Sequence, residues 1–180
     1  MKTHYGRNYL IKALLSLLAS GKKYEEITIL DLVRKAGVNR STFYRHFRKV
    51  GDVSKAYFSD LMEEAIKRAG PHPMARAFYH CLAEVYFEHK EELVSSHVHP
   101  LENAVSNVYW DYLFNIEDPS YWLSFYAGGM NLVFLNWYHY EFRDDLNVFE
   151  KNIDEMIVHD YPIEIFQNRK KKPITEQRGM

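Results

Sequence analysis

Between Thr28 and Phe47 the chain carries two short apolar-periodic runs separated by only three residues, Gly37-Val38-Asn39. Isolated helices shorter than about 12–15 residues are marginal in water, so neither run can stand alone and both must be built into a larger helical core. In the first run, Thr28 precedes Leu32, Val33 and Ala36, with Asp31 three residues on in the place of a capping-box acid. Gly37 can supply the positive φ that ends a helix, Val38 can plug the core and Asn39 can cap the second run. At about 100° per residue, the second run from Arg40 to Phe47 sets Phe43 and Phe47 on one face. Ser41, Thr42, Arg45 and His46 fall on the opposite side and Tyr44 on the flank.

The flanking sequence offers that larger core. From Arg7 to Ser20, Leu10, Ile11, Leu14, Leu15, Leu17 and Leu18 recur at helical steps until Gly21. From Asp52 to Arg68, Val53, Ala56, Tyr57, Leu61, Ala65 and Ile66 form another stripe, which Gly70 and the following prolines stop. Past this break the pattern stays helical. Runs are expected at Met74–His89, at Pro100–Phe114 and from Asp118-Pro119 to Phe142. A last helix, capped by Asp144 or Asp145, passes through Val148, Phe149, Ile153, Met156 and Ile157, with Pro162 at its limit. No alternating strand pattern competes. The expected fold is all-α. An N-terminal three-helix helix-turn-helix unit (1–50) joins through a fourth helix (51–70) to a helical C-terminal dimerisation and effector domain (71–162), followed by a polar tail (163–180).

The net charge of −1 hides two fields. Residues 1–70 hold fourteen Lys and Arg against seven Asp and Glu, net +7, and residues 71–180 are net −8. Such asymmetry suits a nucleic-acid-facing module joined to an acidic body. A helix-turn-helix places its second helix in the major groove. There, affinity comes from donors aimed at phosphates, and reading from short or bidentate side chains that reach base edges. Arg40, Ser41, Thr42, Tyr44, Arg45 and His46 supply that set within seven residues. Lys2 and Arg7 suit either an arm on the DNA backbone or a loose charged N-terminus, and Lys12, Lys22 and Lys23 are weaker signals. The lone Cys81, a core thiol on this reading, forbids an internal disulfide, and Met1–Tyr5 lacks a signal-peptide core. A cytoplasmic protein is expected.

The stretch ITILDLVRKAGVNRSTFYRHF resembles the DNA-binding signature of the TetR/AcrR family of bacterial transcriptional regulators. The match runs through Thr28, Ala36-Gly37-Val38, Ser41-Thr42-Phe43-Tyr44 and His46-Phe47. It implies an all-helical homodimer, usually a repressor, whose C-terminal domain senses a ligand and respaces two reading heads. The family's usual DNA contacts then fall on Thr28, Arg40, Ser41, Thr42, Tyr44 and His46. Val50 stands where a lysine commonly precedes the fourth helix, and Lys49 can take that phosphate contact from one residue earlier. Gly51 replaces an often acidic position, and Asn39 replaces a more typical serine cap.

From Pro119 to Tyr140 there are twenty-two residues without Asp, Glu, Lys or Arg. That length could span a bilayer. Interrupting polar residues, acidic flanks and the lack of an adjoining basic cluster argue against it, and burial against a second subunit explains it better. Gly128-Gly129, each costing about 1 kcal/mol relative to alanine within a helix, fit close approach of a partner helix or a kink opening a ligand space. The segment SYWLSFYAGGMNLVFLNW is similar to the penultimate helix of a C-terminal domain type in TetR-like regulators of Firmicutes. That resemblance implies a four-helix dimer interface, carried by Trp122, Phe125, Gly128, Gly129, Leu132, Val133 and Trp137 with Ile153, Met156 and Ile157 of the next helix. Twenty of the twenty-eight aromatics lie in residues 71–180. Phe78, Tyr79, Tyr86, Tyr109, Trp110, Tyr112, Tyr126 and Met130 are candidates for an effector wall, although each also suits a core or an interface.

His97 and His99, with His72, His80, His89 and Cys81 elsewhere, do not make a standard metal spacing. No Gly-x-Ser-x-Gly elbow, phosphate-cradling Gly-rich loop or His-Glu-x-x-His occurs, so neither catalysis nor a cofactor is expected. The expected partners are a near-palindromic double-stranded operator, a second copy of the chain and a small-molecule effector, with no membrane. The rival reading is a coactivator-dependent activator or architectural factor whose C-terminal body binds a protein.

Overall fold

The computed structural model describes residues 3–95, 106–108 and 121–163. Helix α1 (Thr3–Ala19) begins four residues earlier than its apolar stripe, and Gly21 closes it at φ 83°. A single 3-10 turn at Tyr24–Glu26 leads into α2 (Ile29–Ala36), α3 (Arg40–His46) and the long α4 (Val50–Ala69). Then come α5 (Ala75–Glu88), a short α6 (Lys90–Ser95) that periodicity does not announce, α7 (Tyr121–His139) and α8 (Leu146–Met156). The described residues contain helices and one isolated β-bridge, Met74 to Pro162. The helix expected over Pro100–Phe114 is represented by helical residues 106–108, and the Asp118-Pro119 start lies outside the described residues, as does the tail beyond Ile163.

The head is built as its sequence dictates. The Thr28 Oγ1 accepts from the Asp31 N–H at 3.2 Å while the Asp31 carboxylate accepts from the Thr28 N–H at 2.8 Å, a reciprocal capping box. Gly37 at φ 65° ends α2, and the Val38 N–H donates back to the Val33 carbonyl at 3.0 Å, satisfying a carbonyl the helix would leave open. Asn39 takes the N-cap position of α3, but its side chain makes no capping hydrogen bond; its backbone carbonyl receives the Thr42 and Phe43 N–H groups instead. Leu10, Leu14, Leu32, Phe43, Phe47 and Val53 meet in the interior of this unit. Arg7 donates both guanidinium nitrogens to the Asp60 carboxylate, at 2.6 and 2.7 Å, pinning α1 to α4. This pairing takes Arg7 away from the DNA-backbone role that its charge suggested.

No seam divides the buried core, which runs from Leu10 through Phe58, Phe78, Tyr79 and Phe134 to Ile163. Helix α4 packs along α5 more extensively than any other pair of helices, so it belongs to the body as much as to the head. Arg68 of α4 bridges Glu64 and Glu88 at the exposed edge of that contact. Around Trp137, Phe149 stacks at 3.8 Å and Phe142 packs edge-on at 4.8 Å, while its indole N–H donates to the Asp144 carbonyl. That aromatic knot explains why α7 stops at His139, three residues before the apolar run does. Glu141 and Phe142 turn left-handed at φ 55° so that the Phe142 ring can fold back into the interior. Asp145, one of the two aspartates expected, caps α8 by accepting from the Val148 N–H at 3.0 Å. Arg76 of α5 holds the far end of α8 by donating to the Asp154 carboxylate and the Ile157 carbonyl. Cys81 is half-buried rather than a core thiol, and burial followed by the nearby Glu84 carboxylate pushes its pKa up. Among the described residues no helix is long and apolar enough to cross a membrane.

Candidate nucleic-acid interface

The face of α3 expected to read DNA is set by how the helix is anchored. Phe43 and Phe47 are buried, and they hold the helix so that Arg40, Ser41, Tyr44 and Arg45 project into solvent. Tyr44 is 54% exposed and packs only its ring edge against Phe43. Helix α3 contains no carboxylate, and its last turn carries Arg45 and His46. Among the described residues neither Arg40 nor Arg45 is engaged in an ion pair. The arrangement offers guanidinium forks for base edges and phosphates, and a phenol hydroxyl for the backbone.

Thr42 and His46 differ from the expected arrangement. Both are half-buried and lean toward α1, where Gly6 lets them approach. A Cβ at Gly6 would stand 2.7 Å from Thr42 Cγ2 and 3.3 Å from His46 Nε2. The side chains therefore form the edge of the reading face next to α1, not its crest. Gly6 carries no signal in the sequence, since nothing in its local pattern shows that a helix thirty-six residues later crosses there.

Thr28 is exposed, but its hydroxyl donates to Asp31 Oδ2 at 2.6 Å while accepting from the Asp31 N–H, so its proton is already committed within the fold. Lys22 pairs with the same carboxylate at 2.8 Å, which commits to the fold a cation expected to touch DNA. The Lys22 ammonium, then the Thr28 hydroxyl and N–H, hold the Asp31 carboxyl well below the usual carboxylate range. A depressed carboxylate contributes stability in full above its unfolded pKa, about 4, and loses it as pH falls below that value. Guanidinium unfolding between pH 5 and 2 should therefore show a declining head stability that Asp31→Asn flattens. An unchanged acid slope in the variant would remove Asp31 from this role.

At the other end of α3, the Asp52 carboxylate accepts from the Arg48 and Lys49 N–H groups at 2.8 and 3.1 Å, fixing the start of α4. Lys49 sits at the N-cap of α4 with its side chain exposed, one residue before the position Val50 occupies. Lys12 and Lys23 are also exposed, and Lys2 lies outside the described residues.

The residues expected to line an effector space are placed differently. Phe78, Tyr86 and Met130 are buried, and Tyr79 and Tyr86 pack their rings against Phe134 at 6.2 and 5.8 Å. Burial pushes the Tyr86 hydroxyl upward in pKa. These side chains fill the core; Tyr126 is half-buried against Tyr161 at 5.8 Å. Tyr109, Trp110 and Tyr112 lie outside the described residues, as do His97 and His99.

The residues expected at a dimer seam divide by face. Trp137, Ile153 and Ile157 are buried within the protomer, because α7 and α8 turn that side toward their own core. Phe125 and Leu132, 76% and 62% exposed, stand on the other side of α7 with Gly129, while Gly128 and Val133 are half-buried. A Cβ at Gly128 or Gly129 would meet nothing within 4 Å. Met156 is exposed on α8, and the side chain of Trp122 lies outside the described residues. Between α7 and α8 an open groove of about 480 Å³ is lined by Val133, Asn136, Trp137, Tyr140, Asn152 and Met156, among others.

Residues 12–49 match the family described as bacterial regulatory proteins, tetR family. No curated protein matches the chain. Among solved structures, the fatty acid degradation regulator FadR of Bacillus halodurans superposes with a TM-score of 0.54 at 14% identity, over 83% of this chain and 96% of that one. A TetR transcriptional regulator from Rhodococcus sp. RHA1 superposes with a TM-score of 0.50 at 14% identity, over 88% and 99% of the respective chains. At such identity these likenesses concern the fold, and it is the fold of helical regulators with an N-terminal helix-turn-helix.

Proposed function

We propose that this chain, a DNA-binding regulator whose residues 12–49 are a tetR-family domain, acts as a homodimeric, ligand-responsive repressor on a near-palindromic operator. The observation that carries the reading is the α3 face. Arg40, Ser41, Tyr44 and Arg45 are exposed and free of any carboxylate on their own helix, behind two buried phenylalanines that fix their orientation. Two such heads about 34–36 Å apart would read successive major grooves.

The dimer reading is supported by α7. Phe125, Gly128-Gly129, Leu132 and Asn136 recur at three- and four-residue steps on one side of the helix, with open space above the glycines. Small residues flanked by exposed apolar ones let two backbones come together. The open groove lies beside this strip, so a protein coregulator seated there would compete with the second copy. That competition favours the dimer over the coactivator reading.

Ligand response finds its support in Asn131. The residue is only 5% exposed; its amide N–H faces the Ser106 hydroxyl at 3.4 Å, and among the described residues Oδ1 has no partner. An unsatisfied buried acceptor costs about 1–3 kcal/mol, which a hydroxyl or N–H on an otherwise apolar effector would recover. An effector acts by preferring the conformation with wrongly spaced heads, and can shift binding only by that preference.

Arg45→Ala and Tyr44→Phe are expected to lower operator affinity while leaving the dimer intact. Losing a bidentate base contact costs about 1–3 kcal/mol, five- to a hundred-fold in Kd. The operator would be obtained by recovery of bound DNA across a genome, and affinity by anisotropy at fixed salt. Variants that bind specific and random duplexes as tightly as the parent would refute the reading-head assignment.

A further inference from the structure

We infer that the DNA-binding surface does not end at α3 but continues onto α1, where Tyr5, Tyr9 and Lys12 grip the phosphate backbone beside the groove that α3 reads. The inference rests on the DNA-binding reading above and extends it to Tyr5 and Tyr9, which lie outside the matched residues 12–49, and to Lys12 at their edge. Its geometric basis is Gly6, whose missing Cβ lets Thr42 and His46 touch the α1 backbone. At about 100° per residue, Tyr9, Tyr5 and Lys12 follow Gly6 around α1 in one direction, at about 60°, 100° and 120°. The core residues Leu10, Leu14 and Ile11 follow in the other. The exposed face of α1 therefore starts where the outer edge of α3 ends, and the two form one continuous surface.

The chemistry of that surface suits a polyanion. Neither α1 nor α3 contains a single Asp or Glu. Tyr5 and Tyr9 are 62% and 51% exposed, and Lys12 is exposed beside them. Arg7, the one cation of α1 turned to the other side, is held by Asp60. Two phenol hydroxyls can donate to phosphate oxygens and the ammonium can displace a condensed counterion. From Tyr5 to Lys12 the helix rises about 10 Å, and a duplex carries a charge every ~1.7 Å of axis, so the row can meet more than one phosphate. Contacts of this kind position the head without reading sequence.

The test compares the parent with Lys12→Gln and with the double variant Tyr5→Phe/Tyr9→Phe. Anisotropy would use a duplex selected by the parent from a random pool, and a random duplex, at 50 and 200 mM salt. Lys12→Gln is expected to weaken both duplexes equally and to lower the salt slope by about 0.9 for each head, about 1.8 for the dimer, so that the parent loses roughly 12-fold more affinity across that salt range. The phenylalanine pair is expected to weaken both duplexes about three- to tenfold with the slope and the melting temperature unchanged. Variants that bind like the parent at both salts would overturn the extension onto α1 and leave the α3 reading standing. A change in oligomeric state without a change in DNA affinity would assign the tyrosines to a protein contact and overturn it as well. A parent that selects no duplex from the pool would overturn both readings.

Discussion

Leu132→Glu is expected to turn the dimer into a folded monomer and to reduce operator affinity by two to four orders of magnitude. The size of the effect comes from linkage. With the heads joined, the second head binds at the effective concentration set by the first, and such coupling gains about 10²–10⁴ without any new contact. Leu132 is 62% exposed, so glutamate meets solvent in an isolated protomer and the helix keeps its packing. Across a two-fold axis the same substitution faces its own copy or the adjoining apolar strip, where an unpaired carboxylate is costly. Light scattering reads the mass, circular dichroism the retained helix, and anisotropy the affinity. A Leu132→Glu protein that remained dimeric would show that the seam lies on another face. A monomer with undiminished affinity would show that one head suffices.

Gly6→Ala is the second large effect, and its sign is decided by two opposing quantities. Alanine gains about 1 kcal/mol over glycine inside a helix. Against that, its Cβ would stand 2.7 Å from Thr42 Cγ2, at the end of a short, branched side chain with little freedom to retreat. Overpacking of this kind costs about 1–3 kcal/mol, so the melting temperature should fall modestly or hardly at all. DNA binding should suffer more, because relief requires α3 to move away from α1 and carries Arg40 and Arg45 with it. One bidentate contact misplaced is worth roughly tenfold or more in specific affinity. Thr42→Ser removes the clashing methyl group, so Gly6→Ala should cost much less in that background. Equal losses of affinity in the two backgrounds would mean that Gly6 does not set the position of α3.

The head was legible where the signal is local. The Thr28–Asp31 box, the left-handed Gly37 and the Phe43/Phe47 anchor each involve residues within a turn or two of each other, and each forms as its spacing demands. What spacing cannot carry is the pairing of distant residues. Arg7 with Asp60, Lys22 with Asp31, and Gly6 with Thr42 are relations of folded elements, and they convert three apparent DNA-facing side chains into structural or edge positions.

The body was less legible because α7 is apolar nearly all round. A stripe has a phase that tells inside from outside; a helix without one does not, so Trp137 and Leu132 look equally suited to an interface in the sequence. The structure separates them only because Phe149 and Phe142 claim one side of Trp137. The same holds for Ile153 and Ile157, which are buried inside the protomer as α8 packs on α5, leaving Met156 outward. Phe78 and Tyr86 look as fit for a pocket wall as for a core, since aromatic composition does not distinguish a ring against a ligand from a ring against Phe134.

The contact between residues 73–75 and 161–163 has a consequence for modularity. The Ala75 N–H donates to the Tyr161 carbonyl at 2.7 Å, and the Ile163 N–H to the Pro73 carbonyl at 2.8 Å, so the C-terminal body is entered and left at one spot just beyond α4. A segment whose two ends already touch costs little loop-closure entropy to excise or to graft between two positions of another scaffold. Because α4 packs along α5 and shares its core, a graft of Pro73–Ile163 would have to carry α4 with it.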